Sequence, residues 1–102
     1  MRLKNYEWSR HGLTEPLLTA IVYKKVEDGK NIAAYRFLYY ANKVITIFED
    51  NSYRGGEVIE ETNEATIEGL AKEISKFSED NDDLIVIGEE KIGLKLLEML
   101  FN

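Results

Sequence analysis

The side chains in this chain that could do chemistry are mostly carboxylates, so their spacing is tested first. Glu49-Asp50 and Glu89-Glu90 are adjacent acid pairs able to ligate a divalent cation if folding brings oxygens together. The run Ser78-Glu79-Asp80-Asn81-Asp82-Asp83 is denser still. It lacks the Asp-x-Asp-x-Asp-Gly spacing, the sixth-position glycine and the closing Glu of a calcium loop, and reads as a polar helix-to-strand connector. His11 is the single histidine, and there is no cysteine. A metal site would therefore rest on carboxylates alone, and a Ser-His-Asp triad would have only this one base, so His11 reads as a surface or cap residue. Arg54-Gly55-Gly56 suggests a phosphate cradle, but no Gly-Lys-Ser/Thr follows and no helix opens directly from it. Gly88-Glu89-Glu90 reads as a strand-to-helix turn, the place where open α/β sheets take ligands. Two glutamates there repel phosphate and suit a metal or a cationic ligand. No residue is assigned as catalytic, and no pattern calls for a cofactor.

The elements that would position these groups begin with residues 17–49, rich in β-branched and aromatic residues, which read as three antiparallel strands. Asp28-Gly29 is a type I′ turn signal and sets a first register in which paired residue numbers sum to 57. Asn42-Lys43 is a weaker turn signal and gives a second register summing to 85, with Phe37 opposite Phe48 and Arg36 opposite Glu49. One face then carries Leu18, Ala20, Val22, Val26, Tyr35, Phe37, Tyr39, Val44, Thr46 and Phe48 as a core face. The other face is also apolar, with Leu17, Ile21, Tyr23, Leu38, Tyr40, Ile45 and Ile47. A sheet with one face in water normally alternates apolar with polar, so this second face needs cover from the chain or from another molecule.

Residues 1–16 read as an N-terminal arm, with a short strand around Leu3 to Trp8, and its Trp8 is expected to pack on the body of the domain. Residues 50–61 read as a loop, with a short extended piece at Val58-Ile59. A helix is expected over 62–79, capped at Thr62-Asn63, with Ile67, Leu70, Ala71, Ile74 and Phe77 as its inward stripe. Gly69 inside it is expected to mark close packing on the sheet. Residues 84–88 form an apolar strand, and 89–101 a second helix with Ile92, Leu96, Leu97, Met99 and Leu100 inward.

The expected fold is a single α+β domain of order βββαβα over residues 1–102, with the fourth strand parallel to the first by a right-handed crossover and the helices packed on the sheet. In element order alone this resembles the opening of ribonuclease H-like folds. Their chemistry rests on sheet-core carboxylates holding divalent metal; residues 17–26 contain no acid, so the resemblance implies topology only. In this arrangement Glu49-Asp50 and Glu89-Glu90 fall at opposite edges, roughly 17–20 Å apart, too far to share an ion. A cluster of Glu27, Asp28, Glu89 and Glu90 would remain, and the helix macrodipole explains its glutamates more simply.

Composition sets the function classes. The 102 residues are 44% apolar and 31% charged, as in a globular domain, and no apolar run approaches bilayer length. Absence of cysteine and of a signal-peptide core makes the cytoplasm the default setting. The net charge of −6 is lopsided: residues 1–49 carry eight Lys/Arg and five Asp/Glu, residues 50–90 three and thirteen. That acidic half disfavours nucleic acid and can attract a basic protein. The small basic footprint of Arg2, Lys4 and Arg10 beside Tyr6 and Trp8 does not offset it. The expected function is a non-catalytic protein-binding protein of the inhibitor, immunity or anti-defence kind. It would act through the second sheet face and an acidic surface of Glu57, Glu60, Glu61, Glu64 and Glu68, on a partner that is basic or a second copy. The alternative is a small-ligand, nucleotide or metal-binding domain, or a degenerate enzyme, using Gly88, Glu89 and Glu90.

Overall fold

A computed structural model describes residues 1–9, 15–25, 31–50 and 56–102, with the backbone alone at 25, 31–33 and 50. In chain order the elements are β1 (Arg2–Trp8), β2 (Leu18–Lys25), β3 (Asn31–Tyr39), β4 (Val44–Asp50), β5 (Glu57–Thr62), α1 (Ile67–Phe77), β6 (Asp83–Gly88) and α2 (Glu90–Phe101). The strands form one mixed sheet in the order β1-β6-β2-β3-β4-β5. Only β1 and β6 pair in parallel; the other neighbours are antiparallel.

This overturns the expected βββαβα order and the parallel placement of its fourth strand. β6 lies antiparallel to β2, between β2 and β1. The physical reason is β5. Reading 50–61 as loop sends the chain into α1 from β4, which runs parallel to β2. The extra strand reverses the chain once more, so β6, like β5, runs against β2. The likeness to ribonuclease H-like folds rested on the discarded order and falls with it. The strand expected around Leu3 to Trp8 is present as β1, which makes the start of the chain an edge strand of the sheet, with a bulge between Leu3 and Asn5.

The β2–β3 register sums to 57 as expected from Leu18↔Tyr39 to Lys24↔Ala33, before a bulge at Lys25. The Asp28-Gly29 turn and Val26 lie outside the described residues. The β3–β4 register sums to 83, not 85: Tyr35 meets Phe48, Tyr39 meets Val44, and Tyr40 N–H donates to Lys43 O at 2.9 Å around Ala41-Asn42. A slip of two residues keeps every side chain on its face, so the face assignments survive. Arg36 lies opposite Ile47 and reaches Glu49 diagonally, at 3.2 Å.

Both helices pack on one face. Leu70 and Ile74 of α1 and Leu96 of α2 close a fully buried cluster with Leu18, Ala20, Val22, Phe37, Val44, Leu84 and Val86. Phe77 adds stacking on Tyr35, with ring centroids 5.0 Å apart. α1 begins later than the expected 62. Its cap is Thr66, whose Oγ1 accepts from Gly69 N–H at 2.9 Å, whereas Thr62 Oγ1 accepts from Glu64 N–H in the approach. Gly69 is needed against that approach rather than against the sheet, because a Cβ there would lie 2.7 Å from Glu64 O. Trp8 packs as expected on the body of the domain. Its ring lies over Gly93 of α2, where any Cβ would overlap it, and Tyr6 stacks on its other side at 4.9 Å.

Candidate functional site

Cross-strand pairing fixes what stands on the face away from the helices. One row across the sheet reads Ile85, Ile21, Arg36, Ile47 and Val58; the next reads Ile87, Thr19, Leu38, Ile45 and Glu61. Tyr23 and Tyr40 flank these rows on β2 and just beyond β3. Six of the seven residues assigned to this face from sequence are therefore brought together: Ile21, Tyr23, Leu38, Tyr40, Ile45 and Ile47, all half-buried against one another. Leu17 is the exception. It precedes β2, and its side chain packs against the helix-side core. Sequence reasoning missed Ile85 and Ile87, because a continuous apolar run was read as buried on both faces, and Val58, placed in a loop. Among the described residues, no helix lies on this face.

Charges on the face are paired within it. Arg36 meets Glu49 at 3.2 Å, Arg2 meets Asp83 at 3.2 Å and Lys43 meets Glu61 at 3.7 Å, with Lys43 Nζ 5.6 Å from the Tyr40 ring. The exposed Arg36–Glu49 and Lys43–Glu61 pairs add little stability. The effect of the three pairs is to balance charge on the face, at its centre through Arg36 and toward its margins through Arg2 and Lys43.

The expected acidic surface does not hold together as one patch, because β5 alternates. Glu61 points to the open face. Glu60 points to the helix side, where Lys76 Nζ donates to both its oxygens at 3.0 and 3.1 Å. Glu57, Glu64 and Glu68 are exposed on the strand, the approach to α1 and the first turn.

Beneath Glu60 lies Glu73, buried in α1 and accepting from Thr46 Oγ1 at 3.3 Å. Burial pushes its carboxyl above the ordinary carboxylate range, and the neighbouring Glu60 pushes it further. Glu60 moves the other way, held down chiefly by the hydrogen bond from Lys76. Neutral Glu73 thus favours the fold. That contribution is full below the ordinary carboxylate pKa and is lost as pH rises through the raised value. Glu60 contributes in the opposite sense, losing its share as pH falls. Glu73→Gln is expected to match the parent in acid and to exceed it increasingly as pH rises to neutral. Thermal melts from acid to neutral pH check this, and a pH-independent difference would refute it.

At the strand-to-helix turn, Gly88, Glu89 and Glu90 have structural employment. Gly88 lies against the Leu17–Leu18 backbone, Glu89 N–H donates to Leu17 O at 3.0 Å, and Glu90 is exposed in the first turn of α2. Glu49-Asp50 ends β4 level with the end of β2, while Glu89 follows Gly88 beside the start of β2. The two acid pairs thus sit at opposite edges, because β4 runs parallel to β2, as an antiparallel meander requires, while β6 runs against it. Glu27 and Asp28 lie outside the described residues, as do His11 and the Arg54-Gly55 stretch. In the 78–83 run, Asp82 is buried, with Oδ2 accepting from Lys24 Nζ at 2.6 Å and Glu79 N–H at 2.7 Å. It closes a turn and was not singled out by spacing. Among the described residues, no three His, Asp or Glu side chains converge as metal ligands. A shallow apolar depression of about 300 Å³ lies between Ile67, Ile92 and Leu94, edged by Lys91 and Lys95.

No helix among the described residues is long and apolar enough to cross a membrane. Compared with protein-family models, with curated proteins and with solved structures, the chain matches none.

Proposed function

We propose that this chain is a non-catalytic protein-binding module that uses the open face of its sheet. The observation carrying the reading is the gathering of Ile21, Ile85, Ile47, Leu38, Ile45 and Ile87 around Arg36 and Thr19 on the side away from both helices. Contiguous apolar surface beyond a few hundred Å² marks interaction sites on soluble proteins. Tyr23 and Tyr40 at its margin suit an interface, since each buries a large ring while keeping a polar tip. An inhibitor, immunity or anti-defence role is the narrower form of this reading, because such proteins act by covering a partner's surface. The absence of cysteine supports a cytoplasmic setting. The division of the acids between the two sides of β5 weakens the part of the reading that asked for a strongly basic partner.

Affinity capture from native host cells tests the proposal, with the parent chain, Ile21→Lys, Ile47→Lys and a control, Met99→Lys, since Met99 stands exposed on α2 rather than inward as its spacing suggested. Proteins retained by the parent and the control but lost by both face variants are the expected result. Capture indifferent to the face substitutions would overturn it.

A further inference from the structure

We infer that the protein partner of the open sheet face is a second copy of this chain, packed face to face about a two-fold axis. The inference rests on the protein-binding reading above and adds the identity of the partner.

Charge is the first argument. The chain carries a net −6, and a partner chosen by electrostatics would be basic and would meet an acidic surface. The open face is not one. It carries both signs, with the Arg36–Glu49 pair among the isoleucines and the Arg2–Asp83 and Lys43–Glu61 pairs toward its margins. An isologous contact brings the same patch to itself, so each residue meets a different one and the reverse contact repeats it. A face carrying both signs can satisfy that requirement; a face of one sign cannot.

Area is the second argument. Strand spacing of about 4.8 Å and same-face spacing of about 6.7 Å give the field from β6 to β5 a footprint of roughly 500 Å². Side-chain relief raises the accessible area above that. Counted over both partners the footprint is about 1,000 Å², the level that a specific interface must clear. Twisted sheets of this kind stack about 10 Å apart with side chains interdigitating.

The sheet edges argue for the face as the contact. β5 is short, rich in glutamate and bulged between its Val58 and Glu60 pairings, while β1 is bulged at Leu3/Asn5. Both features discourage strand-to-strand addition.

Salt dependence separates this occupant from a basic one. Two like-charged chains joined by apolar surface associate more tightly as salt screens their repulsion, whereas a basic partner is released. Sedimentation equilibrium of the full chain is therefore measured from about 20 mM to about 500 mM NaCl. The expected result is a species of twice 11.8 kDa, strengthened by salt. Ile21→Lys and Ile85→Lys are expected to weaken it about tenfold or more, and Met99→Lys to leave it unchanged. Ile21→Thr keeps a β-branched residue in the strand and decides the matter if the lysine variants do not fold. A monomer throughout, or a dimer indifferent to all the face variants, overturns the inference. A monomer whose captured host proteins still depend on Ile21 and Ile47 overturns self-association alone; a monomer with no face-dependent capture overturns the protein-binding reading as well.

Discussion

Lys24→Met is expected to destabilise the protein by about 3–5 kcal/mol, the cost of leaving a buried carboxylate without its cation. Asp82 is 3% exposed, and its Oδ2 accepts from Lys24 Nζ at 2.6 Å and from Glu79 N–H at 2.7 Å. Removing the ammonium leaves only the amide to offset desolvation, and it also removes the cation 5.6 Å from the Tyr35 ring. The double variant Lys24→Met/Asp82→Asn should recover much of the loss. An asparagine oxygen can still accept from Glu79 N–H, and no charge remains to be buried. Urea unfolding of the two single variants and the double measures this as a coupling energy. Additive losses would show that the pair is no unit.

The pair bears on the topology as well as on stability. Asp82 and Asp83 are consecutive buried acids at the start of β6, and each takes a cation from a different neighbouring strand. Lys24 comes from β2 and Arg2 from β1. A strand inserted between two others is thereby tied to both at one end. A one-residue slip of β6 would part both acids from their cations, and would also turn Leu84 and Val86 out of the core.

Why the sequence disclosed the faces but not the neighbours follows from the range of each signal. Which side of a strand a residue takes depends on alternation within that strand. Ile21, Leu38 and Ile45 could therefore be assigned to one face even though the β3–β4 register was misjudged by two residues. Strand order depends on how many reversals the chain makes. One of those was hidden in Glu57–Thr62, where three glutamates in six residues depress β propensity and four of the six positions are polar. Missing that reversal inverted β6, and with it every inference about what stands beside Ile85. The ion pairs at Asp82 and Asp83 were unreadable for the same reason, because Lys24 and Arg2 lie 58 and 81 residues away. Residues 78–83 read as a polar connector, and the structure adds that one of its carboxylates closes a turn while the next forms an ion pair.

Gly88→Ala is the second large effect, expected to cost about 3 kcal/mol or more. A Cβ at this position would lie 2.6 Å from both Leu17 O and Leu18 Cα. Both are backbone atoms, so relief requires moving the start of β2 rather than turning a side chain. Overpacking alone costs about 1–3 kcal/mol, and the positive φ of +156° adds backbone strain for any residue with a side chain. The neighbouring glutamates make the contrast. Glu89→Gln/Glu90→Gln removes the charges that would attract a metal or a cationic ligand, and neither carboxylate makes a cap hydrogen bond or an ion pair among the described residues. That double variant should unfold within about 0.5 kcal/mol of the parent. Thermal and urea unfolding of the two variants settles which role the turn serves. A ligand turn would show Gly88→Ala folded as stably as the parent; a strand closure shows it destabilised. The result reaches the open face too, because the approach of β6 to β2 at Gly88 is the first pairing in the register that sets Ile85 beside Ile21. If Gly88→Ala were neutral, that register would be wrong and the apolar rows built on it would not exist.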